Sequence, residues 1–338
     1  MTLLEFKDLH VTYTGSRGRI PAVRGVDLKV EAGRTIGIAG ESGCGKSTLA
    51  MAVLRLLPKT AEVSGQILLN GEDLLQMGWG RLRAVRWTGA SIVFQGAMHS
   101  LNAVHRIGRQ VAEPILLHEK TTPAAAAKRA EALLERVGLP ASRMRSYPHE
   151  LSGGQRQRVM IAMALACDPE LIIADEATTA LDVMVQAQVL QLISGLVTER
   201  GVGLVMISHD LSVLSSVCDE AAVMYAGRVV EQGPAHEVFA NARHPYSAAL
   251  GAAFPVIGDP AARKRPGGLA GDPPDPVRLP DGCSFRPRCA VAVEHCAEES
   301  PLLLPVPIRG SASVAAGGTA RSSACFVAQE GEPVVVGR

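Results

Sequence analysis

"GESGCGKS", Gly40 to Ser47, is the stretch on which the reading of this chain turns. It fits G-x-x-x-x-G-K-[ST] at every position and stands between a short apolar strand, "RTIGIAG", and a segment of helical spacing, "KSTLAMAVLRLL". The glycines Gly40, Gly43 and Gly45 let backbone N–H groups curl around phosphate oxygens, and the following helix N-terminus adds its partial positive charge. Lys46 is expected to bridge the terminal phosphates and the Ser47 hydroxyl to hold Mg2+. Ser42, Cys44 and Thr48 complete the nucleotide-contacting set, with Cys44 read as a small loop residue rather than a redox switch. The rival reading is a chance glycine-rich turn, which the strand–loop–helix context disfavours.

Two further elements point the same way. "LIIADE" is an apolar run that delivers Asp175 to a strand's C-terminal edge, where parallel sheets bind ligands. Asp175 is expected to act on Mg2+, and Glu176 to accept a proton from the attacking water. A surface acidic pair would not be led by such a run. "LSGGQRQR", Leu151 to Arg158, offers Ser152 as an N-cap and then Gly153, Gly154 and Gln155 at the start of a helix, a second anion cradle. One small nucleotide does not need two cradles on one chain.

The chain has 338 residues, 47% of them apolar, and a formal net charge of +1. That balance argues against a nucleic-acid binder working by bulk electrostatics. "MTLLEFKDLHVTY" lacks the apolar core of a signal peptide, and no apolar run of bilayer length occurs. A reducing compartment is therefore expected, with structural disulfides disfavoured. "LEFKDLHVTY" and "VRGVDLKV" alternate as half-buried strands, while "ELIIADE" and "GLVMISHD" are strands separated by the helical "MVQAQVLQLISGLVTERG". Strand–helix alternation predicts a parallel sheet covered by helices. "TPAAAAKRAEALLERVGL" reads as a capped helix inside a helical insert over about 96–165, and a second helix is expected from Gln155 to about Cys167. Cys167, Cys218 and the methionines of "VMIAMA" read as core.

Gly40–Ser47, "LSGGQ", "LIIADE", "ALD" at 180–182 and "SHD" at 208–210 occur together and in order. The set resembles the nucleotide-binding subunit of an ATP-binding cassette (ABC) transporter over about residues 3–250. The resemblance implies an α/β P-loop NTPase fold: a RecA-like core, an antiparallel β subdomain and a helical subdomain. It implies that two cassettes face head to tail, so that Ser152 and Gly154 act on the ATP held by the opposing subunit. It also implies roles for Gln95, which senses Mg2+ and water, for the switch histidine His209 at the γ-phosphate, and for Asp182 in the loop joining the cassettes. Tyr13 matches the aromatic that stacks on adenine, with ordinary strand packing as the rival reading. Ala177 departs from the family, where many relatives carry proline after the Asp-Glu pair.

"FQGAMHSLNAVHRIGRQ" and "ARHPYSAALGAAFP" narrow the resemblance to importers of dipeptides, oligopeptides or nickel. The implied partners are a second, homologous ATPase subunit, two membrane-spanning permease subunits and an extracytoplasmic solute-binding protein. The implied place is the cytoplasmic face of the cell membrane, held peripherally. A Pro/Gly-rich linker is expected over 251–281, then a small cysteine module over 282–338. Its tail "GCSFRPRCAVAVEHC" resembles that group's C-terminal extension, whose four cysteines in some members hold a 4Fe–4S cluster. Cys283, Cys289, Cys296 and Cys325 are the matching ligands here. The spacing C-x5-C-x6-C leaves zinc open as the alternative. The rival to transport is an ABC ATPase acting on nucleic acid or in translation; such proteins usually carry paired cassettes or a basic face, and this chain has neither.

Overall fold

The computed structural model describes residues 1–16, 18–94, 100–177, 183–253, 269, 271–306 and 321–332. The chain divides into two compact units. The first comprises Met1–Leu4, Lys29–Thr35 and Leu68–Ile207; the second comprises Glu5–Leu28, Ile36–Ile67 and Ser208–Arg338.

The strands are β1 (Thr2–Gly15), β2 (Gly18–Glu31), β3 (Thr35–Ala39), β4 (Ala61–Leu69), β5 (Glu72–Asp73), β6 (Ala90–Val93), β7 (Leu171–Asp175), β8 (Gly203–Ile207), β9 (Glu220–Tyr225), β10 (Arg228–Pro234), β11 (Leu304–Pro305) and β12 (Ser322–Ser323). In the first unit β6, β7 and β8 run parallel, with Ala90 opposite Leu171 and Asp175 opposite Ile207. Every residue of β7 and of β8 is buried, which is why these runs read as continuous apolar strands rather than alternating ones. The helix Pro123–Arg136 begins as its sequence requires. Pro123 takes the first helical position, where its missing N–H costs nothing, and the Thr122 hydroxyl accepts the Ala125 N–H at 3.2 Å. Gly138 ends it at φ +73°. A helix at Ile107–His118 packs beside it, with Ile107, Val111 and Ile115 buried at helical spacing.

In the second unit β2, β1 and β4 are neighbours in one sheet, and β3 opens another. β9 runs parallel to β3, and β10 turns back antiparallel on β9. Ala226 (φ +47°) and Gly227 (φ +82°) make the turn between them, both with the positive φ of a primed hairpin. The tail is built onto this sheet. β12 pairs antiparallel with β10, Glu231 opposite Ser323, and β11 pairs with β12. The expected linker begins too early, since residues 251–253 close the helix Pro245–Ala253; residues 269 and 271–281 form no helix or strand, and 254–268 and 270 lie outside the described residues.

A buried ion pair locks the tail strand down. Glu231 and Arg321 are almost wholly buried, with Arg321 Nη2 donating to Glu231 Oε1 at 2.8 Å. The same carboxylate accepts the backbone N–H groups of Arg243 (2.8 Å) and His244 (2.9 Å), so its remaining lone pairs are used. His244 is buried as the neutral imidazole. Burial pushes its pKa down to about 3, although a hydrogen bond with the backbone of Ala324 opposes the shift. Its Nδ1 accepts the Tyr246 N–H at 3.0 Å.

The unfolded chain takes up the imidazole proton near pH 6.5, well before the folded chain does. Stability is therefore full above about pH 6.5 and is lost as pH falls toward 3, by up to about 1.4 kcal/mol per pH unit. Urea midpoints at pH 7.5 and pH 5 should differ more for the wild type than for His244→Gln. Equal pH slopes would show that this imidazole does not carry the effect.

Candidate active site

The phosphate-binding loop is shaped by what surrounds its glycines. A Cβ on Gly40 (φ +149°) would meet the Met224 carbonyl oxygen at 2.3 Å, and one on Gly45 (φ +106°) the Ala22 carbonyl oxygen at 2.3 Å. Only glycine lets the loop run this close to β9 and β2. The helix that follows, Lys46–Val53, has no side-chain N-cap, so its first N–H groups are left to a ligand or to water. The Lys46 ammonium is buried and donates to the carbonyls of Gly40 (2.7 Å) and Glu41 (2.9 Å). It thus lies across the mouth of the cradle, on acceptors that phosphate oxygens can replace. Ser42 and Gly43 are exposed, Ser47 and Thr48 half-buried.

Tyr13, on β1, hydrogen-bonds its hydroxyl to Thr48 Oγ1 at 3.2 Å, which sets the ring beside the loop's helix. Ser208 donates its N–H to the Ile38 carbonyl at 3.4 Å, beside the strand that feeds the loop. Asp210 caps the next helix, Leu211–Val217, by accepting from Ser212 N (3.0 Å) and Val213 N (3.3 Å). His209, between these two anchored residues, is exposed. Cys44 is buried and its thiol pKa is raised by that burial, as expected of a packing residue. Burial also pushes Cys167 up to about 11 and Cys218 up to about 12.

In the first unit Asp175 ends β7 and is buried. Glu176 follows at φ +46°, a conformation rare for a residue with a side chain, and donates its N–H to the Ile207 carbonyl at 2.9 Å. The backbone thus turns sharply at the residue expected to carry the base. Ser152 caps the helix Gly153–Ala164: its Oγ accepts the Gln155 N–H at 3.3 Å, and Gln155 Oε1 accepts the Ser152 N–H at 3.1 Å. The helix begins two residues earlier than expected, because Gly153 and Gly154 are part of its first turn. Gln95 and Asp182 lie outside the described residues.

The cysteines of the tail meet from two segments. Cys283 donates its N–H to the Cys296 carbonyl at 2.9 Å, and the His295 ring lies 4.3 Å from the Phe326 ring, beside Cys325. Cys296 and Cys325 are buried. Burial pushes Cys289 up to about 11, and the charges of Cys325, Cys283 and Cys296 add to the rise. Burial likewise raises Cys283 and Cys325. Among the described residues, however, no three His, Cys, Asp or Glu side chains converge closely enough to hold a metal ion. The four expected ligands are neighbours but not an assembled site.

Residues 23–179 match the ABC transporter family model, and residues 230–296 match the C-terminal region of oligopeptide/dipeptide transporters. The chain is 44% identical over 302 residues to the oligopeptide transport ATP-binding protein OppD of Salmonella typhimurium, covering 89% of this chain and 90% of that one. The chain belongs to the ATP-binding subunits of ABC transporters, in the oligopeptide/dipeptide group. A putative peptide import ATP-binding protein of Brucella melitensis is 43% identical, covering 90% of this chain and 94% of that one. A dimeric bacterial ABC transporter cassette is similar in structure, with a TM-score of 0.63 and 27% identity over 69% of this chain and 99% of that one. The same cassette in a post-hydrolysis state bound to ADP and Pi gives a TM-score of 0.64. This ABC subunit is an ATPase with the expected P-loop cassette fold. Among its described residues no helix is long and apolar enough to cross a membrane.

Two features of the loop were missed in the sequence. Tyr246, from "HPYSAAL", accepts the Glu41 N–H on its hydroxyl at 2.8 Å, and Arg288, from "SFRPRC", forms an ion pair with the Glu41 carboxylate. An acidic residue inside a phosphate-binding loop was the available signal, since such a charge calls for a counter-charge.

Proposed function

We propose that this chain binds and hydrolyses ATP to drive import of peptides through a channel formed by two permease subunits, fed by an extracytoplasmic solute-binding protein. The observation that carries the reading is the peptide-transporter C-terminal match at 230–296, joined to an intact phosphate loop. Lys46 holds the terminal phosphates, and Tyr13 stacks on adenine. Ser47, Gln95 and Asp175 would hold Mg2+, which supplies neutralisation of the phosphate charge. Glu176 takes the proton of the attacking water, and His209 contacts the γ-phosphate. Ser152, Gly153, Gly154 and Gln155 close on the ATP of a facing cassette, with Asp182 at the joint. That cassette is a different, homologous subunit, and the pair sits beneath the permeases on the cytoplasmic face. In the reconstituted complex, uptake of a labelled tripeptide should require ATP and stop with Lys46→Ala. Nickel uptake without peptide uptake would instead make the solute a metal ion.

Cys283, Cys289, Cys296 and Cys325 would hold a 4Fe–4S cluster. Four soft sulfur donors carried on two packed segments suit such a group. It would supply a staple for a tail in which Val306, Cys325 and Ala328 form a small cluster with Val327 against them. Protein purified without oxygen should be brown, with iron and acid-labile sulfide in equal amounts, and Cys289→Ser should bleach it. A colourless preparation with one tightly held zinc would replace the cluster by zinc.

A further inference from the structure

The tail reaches the phosphate-binding loop through the Arg288 side chain. Arg288 sits in the short helical turn Arg286–Arg288, immediately before Cys289. Its Nη1 donates to Glu41 Oε2 at 2.7 Å and its Nη2 to Glu41 Oε1 at 3.0 Å, a two-pronged carboxylate contact. The Arg288 side chain is 6% exposed and that of Glu41 23%. The guanidinium lies 5.9 Å from the Tyr225 ring centre and 6.0 Å from that of Phe285. Phe285 packs edge-on against Tyr225 and Tyr246.

Glu41 collects the loop's restraints. Its N–H is held by the Tyr246 hydroxyl at 2.8 Å, its carbonyl by Lys46 at 2.9 Å, and its carboxylate by Arg288. The residue stands second in the loop, so its negative charge lies next to the cradle that must receive a polyanion. Left alone, that charge opposes the phosphates. Paired with Arg288, it is neutral in sum and fixed in place.

We propose that Arg288 is a positioning residue of the phosphate-binding loop, neutralising and orienting Glu41, so that the cysteine-bearing tail sets the loop's affinity for ATP. The backbone makes the link short. Cys289 N–H donates to the Arg286 carbonyl at 3.1 Å and Arg288 N–H to that of Phe285 at 3.0 Å, so a displacement of Cys289 shifts the guanidinium with it. By reciprocity, nucleotide in the loop stabilises this arrangement of the tail. The inference rests on the loop being the ATP site and not on the identity of the solute.

The test is ATP affinity of the full-length chain, measured by displacement of a fluorescent ATP analogue with Mg2+ present. Arg288→Ala should weaken ATP by about tenfold, because it leaves the Glu41 carboxylate uncompensated beside the phosphates. Adding Glu41→Gln to Arg288→Ala should restore affinity to within about threefold of wild type. Arg288→Lys should fall between. In the assembled ATPase the loss should appear as a raised KM for ATP with kcat within about twofold. A merely structural clamp would not be repaired by removing the second charge. If Arg288→Ala binds ATP as wild type does, or if the double variant is as weak as the single one, the proposal is wrong. Should Arg288→Ala fail to fold, Arg288→Lys with and without Glu41→Gln makes the same comparison. Because ATP affinity is read without any transported solute, a failed peptide-uptake assay leaves this result standing.

Discussion

Glu176→Gln is expected to keep ATP binding and to cut turnover by about 10²- to 10⁴-fold, the usual contribution of a positioned base. The substitution keeps the size of the side chain and the positive-φ backbone, with its N–H on the Ile207 carbonyl, so the strand end should stay as it is. What it removes is the ability to accept a proton. In the assembled complex the variant should trap ATP unhydrolysed, seen as retained nucleotide after rapid desalting. Hydrolysis at the wild-type rate would reassign the base.

Lys46→Ala should fail one step earlier. The ammonium is buried and rests on loop carbonyls that phosphate oxygens can replace as acceptors. Its loss removes charge-assisted contacts in a partly desolvated site, and ATP affinity should drop by about 10²-fold or more. Gly40 and Glu41 also lose a donor to their carbonyls, so a small fall in melting temperature should accompany the loss. Equilibrium binding of ATP separates this variant from Glu176→Gln: the first loses affinity, the second keeps it. Comparable affinity in Lys46→Ala and wild type would remove Lys46 from the phosphate site.

The parts of the fold that read well in the sequence are those governed by local rules. The helix over Pro123–Arg136 announces itself by Thr122, Pro123 and Gly138, each acting within a turn of its position. β7 and β8 read as strands because burial on both faces leaves an uninterrupted apolar run. The loop reads because its glycines are required by backbone approach, as the Met224 and Ala22 oxygens make plain. What could not be read depends on contacts distant in sequence. Ser322 and Ser323 have no strand character of their own and become β12 by pairing with β10, next to Arg321, which is held by Glu231 ninety residues away. Arg288 and Glu41 are 247 residues apart, and nothing in either neighbourhood names the other. "HPYSAAL" marked a subgroup in the sequence, yet its physical task is seen only when His244 is buried against Ala324 and Tyr246 reaches Glu41. The cysteines lay between these cases: their clustering was visible, but the packing of His295 on Phe326 that brings Cys325 to the others was not.

The most direct test of the account is ATP hydrolysis by the complete complex in liposomes, compared with and without a peptide-loaded solute-binding protein. The account predicts low hydrolysis alone, a marked rise with the loaded binding protein, and no rise when Glu176 is replaced by Gln. A rate that is unchanged by the loaded protein, or that rises instead with added nucleic acid, would contradict it.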